Sequence, residues 1–189
     1  GGVVCGARWA HRCLVAVTGG VGGGGMGGVS RVFHAGLEVP VAIKVLGESY
    51  SKDAQFRHRF QREAAAVAAL NHPGIVRVYD FDQDLDSLFI VMEFVDGASL
   101  RAMLLEKGKI PIHQALDFIQ QLLSAVGAAH AHNIVHRDLK PDNVAISNLG
   151  KVKVMDFGIS KLLVDTAGLT GTESIIGTPT CMSPEPVRR

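Results

Sequence analysis

Eight of the ten residues from Gly19 to Gly28 are glycine, and few features restrict a chain more. Each glycine loses extra backbone entropy on ordering, so the run is predicted to lie outside regular helix and strand. It reads either as a flexible linker or as a loop that must approach another group closely. Gly22-Gly23-Gly24-Gly25-Met26-Gly27-Gly28-Val29 fits G-x-G-x-x-G-x-V, whose backbone N–H groups can close over phosphate oxygens without side-chain obstruction. The hexapeptide part fits in more than one register, and the one from Gly22 is preferred because Val29 follows after a single spacer. A dinucleotide-binding turn needs a helix after its glycines, whereas β-branched residues follow here. A Gly-Lys-Ser/Thr phosphate loop is also missing, since Gly108-Lys109 and Gly150-Lys151 run on into Ile110 and Val152.

Beyond the glycines the hydrophobic period changes along the chain. Leu14 to Val17, Val29 to Phe33, Val39 to Val45, Ile75 to Phe81 and Leu88 to Phe94 read as strands, with a turn at Ala35-Gly36. Between them, residues 53 to 70 carry Phe56, Phe60, Val67 and Leu70 at helical spacing, ended by Asn71-His72-Pro73-Gly74. The second half is helical. Ser99 to Glu106 is a short helix, and Ile112 to His132 a long one. One apolar face of the long helix is traced by Ile112, Ala115, Leu116, Ile119, Leu122, Leu123, Val126 and Ala129. Short strands at Asn133–Val135, Val144–Ile146 and Val152–Val154 alternate with polar loops, where chemistry is usually placed. The class is α+β, without an internal repeat.

Composition excludes several alternatives. A formal net charge of +1 over 189 residues, with the basic residues dispersed, argues against nucleic acid as a partner. The apolar run from Val3 to Val17 is broken by Arg8, His11 and Arg12, so no membrane contact is expected from this segment. Cys5, Cys13 and Cys181 form no C-x-x-C pair, which points to reduced thiols and a cytoplasmic setting. Any membrane anchor would lie outside this segment. His130 and His132 stand two apart on a helix and point to different faces, so with His136 they are expected to be structural rather than metal ligands.

The residues able to do chemistry come in a fixed order. Lys44 ends the β-forming stretch Val41-Ala42-Ile43, where a lysine either snorkels to solvent or reaches a fixed anion. Glu63, on the following helix, is either its carboxylate partner or a solvated helix charge. His136-Arg137-Asp138-Leu139-Lys140-Pro141-Asp142-Asn143 fits H-R-D-L-x-x-x-N throughout, and Asp156-Phe157-Gly158 begins 18 residues after Asp138. Transfer of a phosphoryl group needs hard cations on oxygen ligands, which Asn143 and Asp156 can supply. It also needs a group to orient the attacking hydroxyl and take its proton, a role open to Asp138, with Lys140 two residues away.

On these motifs the chain resembles the eukaryotic-type (Hanks-type) Ser/Thr protein kinases from about residue 14 to 189. Gly24-Gly25-Met26-Gly27 and Asn71-His72-Pro73 give it the flavour of their bacterial branch, and Lys140-Pro141 and Gly177-Thr178-Pro179 point to Ser/Thr rather than Tyr. The resemblance implies a bilobal protein-kinase-like fold with a β-rich N-lobe holding one helix and a mainly helical, incomplete C-lobe. Residues 1–13 would be a poorly defined N-terminal segment, 14–94 the N-lobe, and 95–189 a partial C-lobe. It also implies ATP and Mg2+, with Mn2+ as an alternative ion. The partners would be proteins with Ser/Thr acceptors, and a second copy of the kinase for autophosphorylation. Gly22, Gly23, Gly24, Gly25, Met26, Gly27, Val29, Ala42, Lys44, Met92, Glu93 and Val95 would bind ATP, with Met92 as gatekeeper and Leu100 below the adenine. Lys44 would pair with phosphates and be held by Glu63, while Asp138 and Lys140 act at the transferring group. Val67, Val78, His136 and Phe157 would stack as an internal spine.

Residues 159 to 182 would form an activation segment, with Thr170 and Thr172 as candidate phosphosites that could pair with Arg137. The chain departs from the pattern at Gly28 and Ser30, where an acidic and an aromatic residue are common, and so expects a looser glycine loop. Ala145 stands for a larger residue beneath the adenine and Cys181 for a tyrosine. Family domains continue beyond the point matching residue 189. The side of the 112–132 helix that the further helices cover is therefore expected to be exposed, Glu185 to lack its arginine partner, and the segment to be poorly stable alone. A pseudokinase or regulatory nucleotide-binding module is the alternative, disfavoured by the intact set Lys44, Glu63, Asp138, Asn143 and Asp156.

Overall fold

The chain is represented by a computed structural model that describes residues 17–24, 27–34, 38–46, 54–84 and 87–157. Gly25 and Met26, the expected turn at Ala35-Gly36, Leu14 to Ala16, the three cysteines, Gly158, Thr170, Thr172 and the rest of the segment after Phe157 lie outside the described residues. Two compact units divide the chain, one within Gly1–Ala68 and Arg77–Phe94, the other within Ala69–Val76 and Val95–Arg189. No helix among the described residues is long and apolar enough to cross a membrane.

The first unit is an antiparallel sheet of five strands, β1 (Val17–Gly24), β2 (Gly27–His34), β3 (Val39–Leu46), β4 (Val78–Asp84) and β5 (Ser87–Glu93), in the order β1-β2-β3-β5-β4. One helix, α1 (Ala54–Ala68), joins β3 to β4. The glycine run overturns the sequence expectation, because seven of its glycines lie in paired strands, from Gly19 opposite Arg31 to Gly24 opposite Gly27. Register shifts between Val17 and Gly19 and between Gly20 and Gly22 interrupt the ladder, as bulges rich in glycine do. β2 is itself locked against β3 over six residue pairs, so the glycine strand is held by a neighbour that pairs on both edges. Pairing of backbone groups needs no Cβ and offsets the entropy that local propensity counts against it.

β3 uses both its faces. Val41 and Ile43 join Val32, Phe89 and Val91 in one buried cluster, while Ala42, Lys44 and Leu46 sit opposite Met92, Ile90 and Leu88 on the other face. α1 buries Phe56, Phe60, Ala64 and Val67, a stripe with helical spacing. The Phe60 ring meets Phe81 of β4 edge-on, with centroids 6.4 Å apart. Phe81 pairs with Ile90 and Ile90 with Lys44, so the helix packs on the sheet face that carries Lys44.

The second unit begins with β6 (Gly97–Ser99) and α2 (Leu100–Lys107). The Ser99 hydroxyl caps α2 by accepting the Ala102 N–H at 3.1 Å, and Gly108 ends it at φ 68°, where a Cβ would be strained. The long helix α3 (Ile112–Ala131), a 3₁₀ turn (Pro141–Asn143), β7 (Val144–Ser147) and β8 (Val152–Val154) follow, with a sheet ordered β6-β7-β8. Phe118 of α3 packs with Val144, Ile146 and Val152, flanked by Leu100, Met103, Ile110, Leu122 and Leu139.

The apolar face of α3 is packed along one edge only, and its other edge is exposed, as expected of the side that further helices would cover. Phe118, Ala125 and Ala129 are buried, whereas Ile112, Leu116, Ile119 and Leu123, on a neighbouring stripe, are 80, 60, 50 and 66% exposed. Two sequence expectations are corrected here. Asn133 to Val135 is a helix-ending turn instead of a strand. Asn133 takes φ 59° and donates to His130, while Ile134 donates to Ala129, which satisfies the last carbonyls of α3. Ile75 to Phe81 is split. Ile75 and Val76 run beside β8 in the second unit, with the Val76 N–H on the Val154 carbonyl at 2.9 Å, and the strand proper starts at Val78.

Candidate active site

In the first unit the register sorts the residues singled out by sequence. Val29 pairs with Lys44, Lys44 with Ile90 and Ile90 with Phe81, while Ala42 pairs with Met92. Directly opposed residues share a sheet face, so Val29, Ala42, Lys44 and Met92 all lie on the face that also receives α1. Gly22, Gly23 and Gly24 face Val29, Gly28 and Gly27, so the described glycines of the motif lie in the paired ends of these same two strands. Glu63 lies three residues after Phe60 and four before Val67, hence along the buried stripe of α1. Its carboxylate is 3.7 Å from the Arg62 guanidinium, an ion pair at the rim that contributes little to stability. Glu93, the last residue of β5, is held twice by Arg77: its N–H donates to the Arg77 carbonyl at 2.8 Å, and its Oε2 accepts the Arg77 N–H at 3.2 Å.

In the second unit the polar residues converge on Asp138. The Lys140 Nζ lies 2.8 Å from Asp138 Oδ2, a contact whose side chains are 26 and 14% exposed. Asn143, buried at the end of the 3₁₀ turn, donates from Nδ2 to the Asp138 carbonyl at 2.8 Å and to Oδ2 at 3.2 Å. Both bonds come from the amide nitrogen, so the side-chain oxygen is the end left for a cation. Asn143 precedes β7, and its carbonyl accepts the Met155 N–H at 3.0 Å just beyond β8. Val144 pairs with Val154 between them. One hairpin therefore brings Asn143 and Asp156 to its open end, although they are 13 residues apart in sequence.

His136 ties these segments together. It is 3% exposed, its Nε2–H donates to the Met155 carbonyl at 2.8 Å, and its Nδ1 accepts the Asp138 N–H at 3.3 Å. Only the neutral Nε2–H tautomer satisfies both bonds. Burial lowers its pKa below the ordinary 6.5, against opposing influences from the Met155 bond and the carboxylates of Asp156 and Asp138. Its ring lies 4.7 Å from that of Phe157, which is buried. Arg137 and Asp156, the residues following His136 and Met155, both adopt the left-handed region, at φ 67° and 62°. Such conformations cost about 1–3 kcal/mol each and persist only where the surroundings enforce them, as at sites that must aim a side chain.

Two positioning groups carried no signal in the sequence. Gln121 on α3 accepts the Val152 N–H at 2.9 Å and donates to the Gly150 carbonyl at 3.3 Å, fastening the β7–β8 hairpin to the helix. The Met155 carbonyl orients His136, and no side-chain pattern marks a main-chain acceptor. Of the expected spine, Val67 and Val78 belong to the first unit and His136 and Phe157 to the second. His132, outside the site, has a local role: its Nδ1 bonds the Ala128 carbonyl at 3.0 Å. No group of three or more His, Cys, Asp or Glu side chains among the described residues could hold a metal. A cation here would therefore depend on the mixed oxygen set of Asn143 and Asp156, which suits a hard ion.

The protein kinase domain family matches residues 15–189. Serine/threonine-protein kinase PrkC of Bacillus subtilis is 41% identical over 168 residues, covering 89% of this chain and 26% of PrkC. Serine/threonine-protein kinase PknL of Mycobacterium tuberculosis is 42% identical over 168 residues, covering 89% of the chain and 42% of PknL. The chain thus spans less than half the length of these relatives. The crystal structure of the Mycobacterium tuberculosis PknI kinase domain superposes with a TM-score of 0.69 at 32% identity, over 77% of this chain and 60% of that one.

Proposed function

This chain belongs to the protein kinase domain family, and from that premise we propose that the protein transfers the γ-phosphoryl group of ATP to Ser or Thr hydroxyls of other proteins. The observation that carries the reading is the Lys140–Asp138–Asn143 cluster beside Asp156, built from two loops at the ends of one hairpin. In the reaction the acceptor hydroxyl oxygen bonds to the γ-phosphorus, the bond to the β-phosphate bridging oxygen breaks, and ADP leaves. Asp138 orients the hydroxyl and takes its proton. Lys140, already 2.8 Å from Asp138, keeps that carboxylate in place and supplies positive charge beside the transferring group. Asn143 and Asp156 offer the oxygens for Mg2+, with Mn2+ as an alternative, and the ion when bound neutralises charge on the phosphoryl oxygens. Lys44 engages the upstream phosphates under the glycine motif. The position of Glu63 on the face of α1 that meets the sheet supports its role as the lysine's holder.

On this reading residues 14–94 and 95–189 are the two kinase lobes, except that Ala69–Val76 packs with the second; ATP is met in the cytoplasm, and Thr170 and Thr172 are phosphorylated by a second copy. Replacing both threonines with alanine should lower activity, and unchanged activity would remove them from the scheme. The decisive assay is transfer of radiolabel from ATP with Mg2+ by the full-length protein and by its Asp138→Asn variant. Label moved by the first and lost by at least about a hundredfold in the second is expected. A folded wild type that binds ATP and transfers none would favour a pseudokinase.

A further inference from the structure

We propose that Arg31 of β2 is a positioning residue for the adenine-binding stretch, holding it by a cation–π contact on Phe94. This rests on the reading that the backbone around residues 92–95 meets the adenine. Arg31 pairs with Ala42, and Ala42 with Met92, so Arg31 occupies the sheet face assigned to the nucleotide, two residues beyond Val29. Its guanidinium carbon lies 4.6 Å from the centroid of the Phe94 ring, well inside the range in which a cation is attracted to a ring face.

Phe94 directly follows the last residue of β5, where the sheet ladder stops constraining the chain. Glu93 is tied to the β4 side by its two hydrogen bonds with Arg77. Arg31 holds the next residue from the β2 side. The Glu93 carbonyl and the Val95 N–H are the peptide groups on either side of Phe94, so fixing that ring limits how far they can turn. The flat guanidinium suits this task better than an ammonium, because it can stack on the ring while its edge remains hydrated. Arg31 is exposed, so replacing it leaves the buried core untouched.

The test uses the full-length protein and the variants Arg31→Ala, Phe94→Leu, the two combined, and Arg31→Lys. Two quantities are read: KM for ATP against kcat, and equilibrium binding of ATP and of adenosine, which needs no turnover. Each single variant should weaken ATP and adenosine equally, by about two- to fivefold, with kcat within about twofold of wild type. The double variant should bind no more weakly than the weaker single, and lysine should restore part of the loss. Losses that multiply in the double variant, or variants that bind like wild type, overturn the proposal alone. A loss for ATP without one for adenosine also overturns it, since that would be a direct phosphate contact. A wild type that binds neither ligand removes the nucleotide reading and this inference together.

Discussion

Acidification should loosen the turn that carries Asp138 through one side chain, His136. In the neutral ring both nitrogens are engaged, Nε2–H with the Met155 carbonyl at 2.8 Å and Nδ1 with the Asp138 N–H at 3.3 Å. A proton added at Nδ1 would face an amide N–H and place a charge on a ring that is 3% exposed. Burial is the largest influence on its pKa and pushes it below 6.5. The unfolded chain therefore takes up this proton near pH 6.5 while the folded chain still resists it. In that window the unfolded state binds more protons, so stability falls as pH falls, by up to about 1.4 kcal/mol per pH unit. Above pH 6.5 the contribution is fully present and constant.

The assay is urea unfolding of wild type and His136→Gln at pH 7.5, 6.5 and 5.5. Glutamine can keep a donor and an acceptor but does not titrate, so other groups cancel in the comparison. Wild type should lose up to about 1 kcal/mol more than the variant between pH 6.5 and 5.5. Parallel loss in both proteins would falsify the assignment of a neutral, doubly bonded imidazole.

Gly97→Ala should be among the most damaging small substitutions, because a Cβ there would stand 2.1 Å from the Ile146 carbonyl oxygen, a backbone atom that cannot swing aside. We expect a loss of about 1–3 kcal/mol or more, read as a lower urea midpoint; a change below about 0.5 kcal/mol would contradict the close β6–β7 approach. Phe118→Ala should cost about 3–5 kcal/mol, whereas Leu116→Ala on the 60%-exposed stripe should cost under about 0.5 kcal/mol. Equal costs would mean that the exposed stripe of α3 is covered. Asn143→Leu removes both hydrogen bonds to Asp138 and the cation-facing oxygen, and should lower transfer by at least about a hundredfold with ATP binding retained. Transfer within tenfold of wild type would argue that another residue organises Asp138.

The clustering of Asp138, Lys140 and Asn143 was legible in the sequence because these candidate site residues lie close together in it. Asp138, Lys140 and Asn143 fall within one turn, and Asp156 is brought alongside by a hairpin whose two short strands are themselves readable as Val144–Ile146 and Val152–Val154. Strand pairing was not legible where it overrides propensity. The glycine strand β1 is stabilised by its neighbour and not by its own residues, so entropy arguments applied to the run alone give the wrong answer. For α3, periodicity detected that the helix is apolar but not which apolar stripe is packed. Periodicity does not single out Phe118, the residue that meets Val144, Ile146 and Val152, because Ile112, Leu116, Ile119 and Leu123 repeat at equally good spacing. Ile134 and Val135 look like a strand, yet Asn133 before them turns left-handed to close the helix.

The same contacts explain why core and site in the second unit cannot be separated. Asn143 and Asp156 are placed by the two ends of the β7–β8 hairpin, and that hairpin is held by three elements at once. Gly97 brings β6 against β7, Gln121 fastens the Val152 N–H and the Gly150 carbonyl to α3, and Ile75-Val76 runs along β8. Each support acts on main-chain groups, so each fixes backbone position rather than side-chain identity. The left-handed residues Arg137 and Asp156 then sit directly after His136 and Met155, which are joined by a 2.8 Å hydrogen bond. Strain of about 1–3 kcal/mol at each can be sustained only if that bond and the hairpin beneath it are rigid. Holding the turns that carry Asp138 and Asp156 therefore draws on stability generated by Phe118, Val144, Ile146 and Val152 in the core beneath them. A substitution that loosens this core should lower transfer before it unfolds the protein, because the strained turns are the first conformations the loosened hairpin can no longer enforce.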